Sequence, residues 1–291
     1  NIRTESKSLD KLYASVKMKV ADIDSAELKQ EYIIRLYNGF FKNAFPKMAQ
    51  KLGIVYTPIE IVDFINNSIS EIVENEFNLS LENEGVHILD PFSGTGTFIS
   101  RLISSDLIAK EKLKYKYQNE LHANEIVLLA YYIACINIES VYQVRMKENQ
   151  YQSFDGMVLT DTFHLFEQER DMIADLLPDN SKKRTEQKKR DIKIILGNPP
   201  YSMGQKSEND NASNIKYTYL DQRIRETYAK NSSATRLAPL YDSYIRAFRW
   251  ASDRLGDEGV IGFVTNGGWL DGKSMDGFRD SLNNEFSKIY V

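Results

Sequence analysis

The chain has 291 residues, of which 42% are hydrophobic and 27% charged, enough to bury a sizeable α/β core with a small satellite. One cysteine, Cys135, excludes a disulfide framework and points to a reducing, cytoplasmic setting; no signal peptide or bilayer-length apolar run is present. A net charge of −4 is ordinary for an enzyme and poor for a protein that must grip nucleic acid unaided.

Residues 9–48 read as helical, with Leu28, Tyr32, Leu36, Phe40 and Phe41 at helical spacing and Pro46 as a breaker; residues 1–49 are expected to form a small helical segment. In Gly53-Ile54-Val55-Tyr56-Thr57-Pro58 a helix over 58–75 begins. Thr57 is the expected N-cap, Pro58 the first helical residue and Glu60 the capping-box partner, with Ile61, Phe64, Ile65 and Ile69 as the buried stripe. A short strand over 86–89 runs into Asp90-Pro91-Phe92-Ser93-Gly94-Thr95-Gly96-Thr97-Phe98-Ile99, a glycine turn opening a helix over 97–108. The third glycine of a dinucleotide fingerprint is replaced by Ile99, which argues against a pyrophosphate cofactor. S-adenosylmethionine, with an amino group, a sulfonium and no phosphate, suits the turn better, and Asp90 can meet positive charge. The bland alternative is a tight turn without a ligand.

After a polar insert from Ser104 to Gln118, a strand over 119–124 and a helix over 126–138 are expected, then a strand over 154–160 ending at Asp161. Ser181 to Arg190 holds six basic residues and one acid, a segment charge of +5; it reads as a solvated loop, with phosphate contact as the functional alternative. The strand 192–196 stops in Asn198-Pro199-Pro200-Tyr201, because neither proline has an N–H for a ladder. What remains is mostly acceptors. The Asn198 side-chain oxygen and the Pro199 carbonyl can hold both hydrogens of an exocyclic amine out of the ring plane, freeing the nitrogen lone pair for attack, while Tyr201 offers a ring face. A plain Pro-Pro turn is the structural alternative.

Residues 202–235 are polar, either a mobile loop closing over a nucleotide or a disordered stretch. An amphipathic helix over 241–255 and a strand over 259–265 follow. Gly267 to Ser274 satisfies the Walker A expression, yet only 17 residues remain after it, too few for the rest of a nucleotide site. Pro178-Asp179 with Glu186-Gln187-Lys188 mimics a nuclease pair on a segment too hydrophilic to hold a metal, and His87, His122 and His164 lack metal-ligand spacing. Strands alternating with helices predict a mostly parallel sheet.

Asp90 to Gly96 followed by Asn198 to Tyr201 resembles the cofactor and catalytic motifs of γ-class N6-adenine DNA methyltransferases. Residues 53–64 and 120–134 are similar to the methyltransferase domain of type ISP restriction-modification enzymes. The resemblance implies a Rossmann-like α/β domain over 50–291, S-adenosylmethionine as cofactor, and transfer of a methyl group to the N6 amine of an adenine flipped out of DNA onto Tyr201. It further implies that Tyr56, Thr57 and Pro58 hold the methionine carboxylate, and that Asp90, Pro91, Phe92, Ser93, Gly94, Gly96, Thr97 and Phe98 form the cofactor turn. Glu125, in Asn124-Glu125-Ile126 with Ala134 and Asn137, would accept from the ribose hydroxyls, with Glu120 as the rival; Asp161 would meet the adenine amine. No metal is implied. In that family one polypeptide joins nuclease, helicase-like ATPase, coupler, methyltransferase and target-recognition domains, so a fragment with a coupler-like residue 1–49 segment and no target-recognition domain is expected. N4-cytosine or protein and RNA amide methylation, and a silent DNA- or cofactor-binding module, are the alternatives.

Overall fold

The computed structural model describes residues 57–147, 151–167, 178–201 and 217–291. The chain divides into two units, Asn1–Gln50 and Lys51–Val291, and all described residues belong to the second. The helical reading of residues 9–48 and the turn 53–56 therefore lie outside the described residues.

Five strands, β1 (His87–Asp90), β2 (Leu121–Glu125), β3 (Met157–Leu159), β4 (Ile192–Gly197) and β5 (Val260–Phe263), form one parallel sheet in the order β3-β2-β1-β4-β5. Ile88 pairs with Leu121 and Ile194, and Ile194 with Val260. A parallel sheet needs crossovers that cover both faces, so its strands are apolar nearly throughout. Period-two alternation divides them. Ile88, Ala123, Ile194 and Leu196 pack under α1 (Ile59–Phe77), α2 (Thr97–Ser104) and α4 (Leu128–Met146), through Val62, Ile69, Phe98, Ile99, Ala134 and Ile138. Leu89 and Ile195 face the other side, against Phe163, Tyr217, Leu220, Ala247 and Trp250. A third cluster, built on Ile224, Tyr228, Tyr244, Trp269 and Phe278, is the satellite.

Several local expectations shift. Helix α1 starts at Ile59 with Pro58 as its cap and no side-chain cap bond, so Thr57 and Glu60 form no capping box. Its buried stripe is Val62, Asn66, Ile69 and Val73; of the expected stripe Ile69 is buried and Ile65 packs half-buried on the core, while Ile61 and Phe64 are exposed, Phe64 at 69%, because packing and not period alone selects the face. Gly262 of β5 lets α1 lie close on the sheet, since a side chain there would meet Ile69 Cδ1 at 2.5 Å and Ile65 Cγ2 at 3.2 Å. The expected 97–108 helix ends at Ser104, and a separate helix, α3 (Lys110–Asn119), forms within the polar insert. Leu113, Lys116 and Tyr117 give it one buried face that its many lysines conceal.

The basic run is not a loop either. It forms α5 (Pro178–Lys189), lying along the edge strand: the Asn180 side chain accepts from Leu159 N at 2.8 Å and donates to Leu159 O at 2.9 Å, occupying the ladder groups an edge strand leaves unpaired. Lys183 is paired with Asp155 at 3.1 Å. Within the expected 202–235 loop, α6 (Thr218–Ile224) continues as a π-turn over Arg225–Ala229, clamped by Arg246 on Asp221 and Arg223 on Asp253. Helix α7 (Ser243–Arg254) is capped by Asp242, whose carboxylate accepts from Tyr244 N. The Walker-like segment forms a short helix, α8 (Gly268–Asp271), with Trp269 buried, then a 3-10 turn (Lys273–Met275) leading into α9 (Asp276–Glu285).

Candidate active site

The chain leaves β1 toward β2 and β3 on one side and returns to β4 on the other. The carboxyl ends of β1 and β4 therefore open a crevice at the topological switch point, where ligands of such sheets bind. Asp90 ends β1 and Asn198 follows β4. The Asp90 carboxylate lies against Gly197, whose φ is 153° and where a side chain would stand 2.8 Å from Asp90 Oδ1.

Asp90 is fully buried. Its Oδ1 accepts from Phe92 N at 3.1 Å, and its Oδ2 has no hydrogen-bond partner among the described residues. Burial, opposed by the Phe92 bond and reinforced by the nearby Glu125 charge, pushes its carboxyl up to about 8. Glu125 ends β2, accepting from Gly94 N at 2.8 Å and Val127 N at 2.7 Å; burial raises its carboxyl to about 7 against those backbone bonds. Ser93 Oγ and Asn124 Oδ1 are buried and likewise unpartnered. Two poorly solvated acids and free acceptors around one glycine turn suit a cationic ligand bearing donors.

The turn itself is held from outside. Asn137 of α4 donates to Thr95 O at 3.0 Å, and Thr162 donates to Pro91 O at 2.6 Å. At Gly96, φ is 80° and a side chain would meet Ile138 Cδ1 at 3.0 Å, so only glycine lets the turn lie on α4. Phe92 packs between Phe163 and Phe263, and the Phe98 ring lies in the core beneath the turn. Thr97 Oγ1 sits 3.3 Å from Thr95 Oγ1.

On the other lip, Asn198 Nδ2 donates to Thr57 Oγ1 at 2.9 Å, and Tyr201 OH contacts both Asn198 Oδ1 at 3.3 Å and Val264 O at 2.9 Å. Pro199 is buried and Pro200 half-buried. The Tyr201 ring packs 5.7 Å from that of Tyr244, and burial raises its hydroxyl above the usual tyrosine value, with the Asp242 charge adding to it. Asp161 is more committed than its sequence position suggests: it accepts from Phe163 N at 3.0 Å, from Tyr217 OH at 3.0 Å, and its Oδ2 lies 2.9 Å from His164 Nδ1. The rivalry between the two glutamates is also resolved in space. Glu120 precedes β2, at the opposite end of the sheet, and is occupied by Lys116 Nζ and Gly85 N, both at 2.6 Å.

Thus Thr57, Asp90, Glu125, Asn198 and Tyr201 come together, as do Pro91 to Thr97 around them, while Tyr56 lies outside the described residues. Asn137, Thr162, Tyr217 and Val264 were missed as supports; only the Asn137 spacing carried any signal. No group of three or more metal-binding side chains occurs among the described residues. No described helix is long and apolar enough to cross a membrane.

A family model described as Eco57I restriction-modification methylase matches residues 59–290. The chain belongs to this family. This Eco57I-type methylase chain is also similar to solved structures. A nuclease-deletion mutant of the type ISP restriction-modification enzyme LlaGI, in complex with a DNA substrate mimic, is 47% identical over 96% of this chain with a TM-score of 0.86. The ATP-dependent type ISP enzyme LlaBIII bound to DNA is 46% identical over 96%, also at 0.86, and a DrdV–DNA complex is 41% identical over 91%, at 0.85. The methylase chain spans only 23%, 19% and 25% of those three chains, respectively. A search of curated proteins returns no match.

Proposed function

We propose that this methylase domain transfers a methyl group from S-adenosylmethionine to the N6 amine of adenine in DNA. The observation that carries the reading is the juxtaposition, at one switch point, of the unpartnered Asp90 carboxylate with the acceptors of Asn198 and Pro199. The residues fit the cofactor. Asp90 and Glu125 would hold its cationic and hydroxyl groups, the Gly94–Gly96 turn allows close approach, and Thr57 and Pro58 would face its carboxylate at the start of α1. When bound, the cofactor supplies an electrophilic methyl on sulfur.

The remaining work falls to the chain. Asn198 Oδ1 and the Pro199 carbonyl accept the two hydrogens of the amine, drawing its lone pair out of ring conjugation. Such preorganised acceptors stabilise the attacking geometry without a strong base. Because N6 is paired inside the duplex, the base must be extruded, and Tyr201 is the ring against which it stacks. Residues 50–291 would be the catalytic domain of a longer cytoplasmic restriction-modification protein, with residues 1–49 coupler-like and nuclease, helicase-like ATPase and target-recognition domains elsewhere in that protein. Tritium transfer from labelled S-adenosylmethionine into DNA by the full-length protein, followed by nucleoside analysis, tests this. Label in N6-methyladenine is expected; label in N4-methylcytosine, RNA or protein, or none, overturns it.

A further inference from the structure

The hydrogen bond between Thr57 and Asn198 joins side chains 141 positions apart. It explains a residue that the helix does not need, since Pro58 is the cap of α1 and no side chain caps it. We infer that Thr57 is a positioning residue that fixes which way the Asn198 amide points. The inference rests on the methyltransfer reading above.

An asparagine amide presents an oxygen on one side and an NH2 on the other, and the two differ little in shape. At this site the difference is decisive. With Oδ1 facing the crevice, Asn198 accepts from a target amine; rotated by half a turn, it sets NH2 against NH2 and repels it. Two neighbours bias the choice. Thr57 Oγ1 receives Nδ2 at 2.9 Å, and Tyr201 shares its single proton between Val264 O at 2.9 Å and Asn198 Oδ1 at 3.3 Å. The Thr57 bond is the shorter of the two made by the amide, and it comes from the residue pair just before α1. In that bond Thr57 Oγ1 offers a lone pair to Asn198, which holds Nδ2 toward Thr57 and Oδ1 on the Tyr201 side of the amide. Thr57 would then serve both lips of the crevice, meeting a ligand carboxylate and setting the catalytic amide.

The test uses the full-length protein and its Thr57→Val, Thr57→Ala and Thr57→Ser variants. Turnover is measured at saturating S-adenosylmethionine, cofactor Kd by calorimetry, and folding by thermal melting. Thr57→Val and Thr57→Ala are expected to lower kcat tenfold or more at saturating cofactor, with melting temperature unchanged, and Thr57→Ser to restore most of it. A loss confined to cofactor Kd and recovered at saturation, or a kcat within twofold of wild type, overturns the inference alone. Absence of methyl transfer by the wild-type protein overturns the parent reading, and this inference with it.

Discussion

The two ends of the sheet bury charge in opposite ways. At the amino-terminal edge, Lys116 is 0% exposed and its Nζ is saturated by Glu120 at 2.6 Å, Val86 O at 2.6 Å and Asn83 O at 3.1 Å, while Glu120 also takes Gly85 N. Burial holds the Lys116 amine below its ordinary value against the opposing pull of Glu120, and the three bonds close the network. At the carboxyl edge, Asp90 is equally buried, yet one of its oxygens, with Ser93 Oγ and Asn124 Oδ1, is left unpaired. Burying a charge without a partner is costly, and a fold carries that cost where a ligand later supplies the partner.

The contrast can be broken from either side. The largest expected effect is at the closed end: Lys116→Met leaves Glu120 buried and unpaired, and should destabilise the domain by about 3–5 kcal/mol. The double replacement Lys116→Met, Glu120→Gln should recover part of that loss, and denaturant melts of both variants decide it. Next is the Asn198 lip at the open end. Asn198→Ala should raise the methyl-transfer barrier by about 3–4 kcal/mol while leaving cofactor Kd and melting temperature nearly intact. Wild-type turnover in that variant would remove Asn198 from the mechanism.

Asp90 supplies the sharper test, because its effects on stability and binding are opposite in sign. Its folded carboxyl titrates at about 8, raised from 3.8 by burial, so the folded state holds the proton more tightly than the unfolded state does. Stability therefore falls as pH climbs from about 4 to about 8. Asp90→Asn removes that fall: its melting temperature should match wild type near pH 4 and exceed it at pH 8 by at least about 2–4 °C, the shift of 1 kcal/mol in a domain of this size. The same variant should weaken S-adenosylmethionine binding by tenfold or more, about 1.4 kcal/mol. A variant that is no more stable at pH 8, or that binds as wild type, would show that Asp90 is an ordinary core residue. The smallest expected effect is Lys273→Ala. Its Walker-like segment is a short helix around the buried Trp269, so cofactor affinity and stability should stay within about 0.5 kcal/mol and ATP should not bind.

By itself the sequence determined the alternation of strands and helices, and with it the parallel sheet; the strand order that makes the switch point came from the fold. It also determined the chemical content of the crevice, because Asp90, the Gly94–Gly96 turn and Asn198-Pro199-Pro200-Tyr201 are contiguous blocks whose backbone needs are local. Tertiary structure alone decided what depends on packing between distant segments. It put Val62 rather than Phe64 in the buried face of α1, because the face a helix buries is set by what packs on it. It turned a basic run into a helix sealing the β3 edge, and it sent Glu120 to the wrong end of β2 for the crevice. It also moved Thr57 from capping to holding Asn198, since a hydroxyl bonds whatever the fold brings within 3 Å, and sequence spacing does not reach across 141 residues.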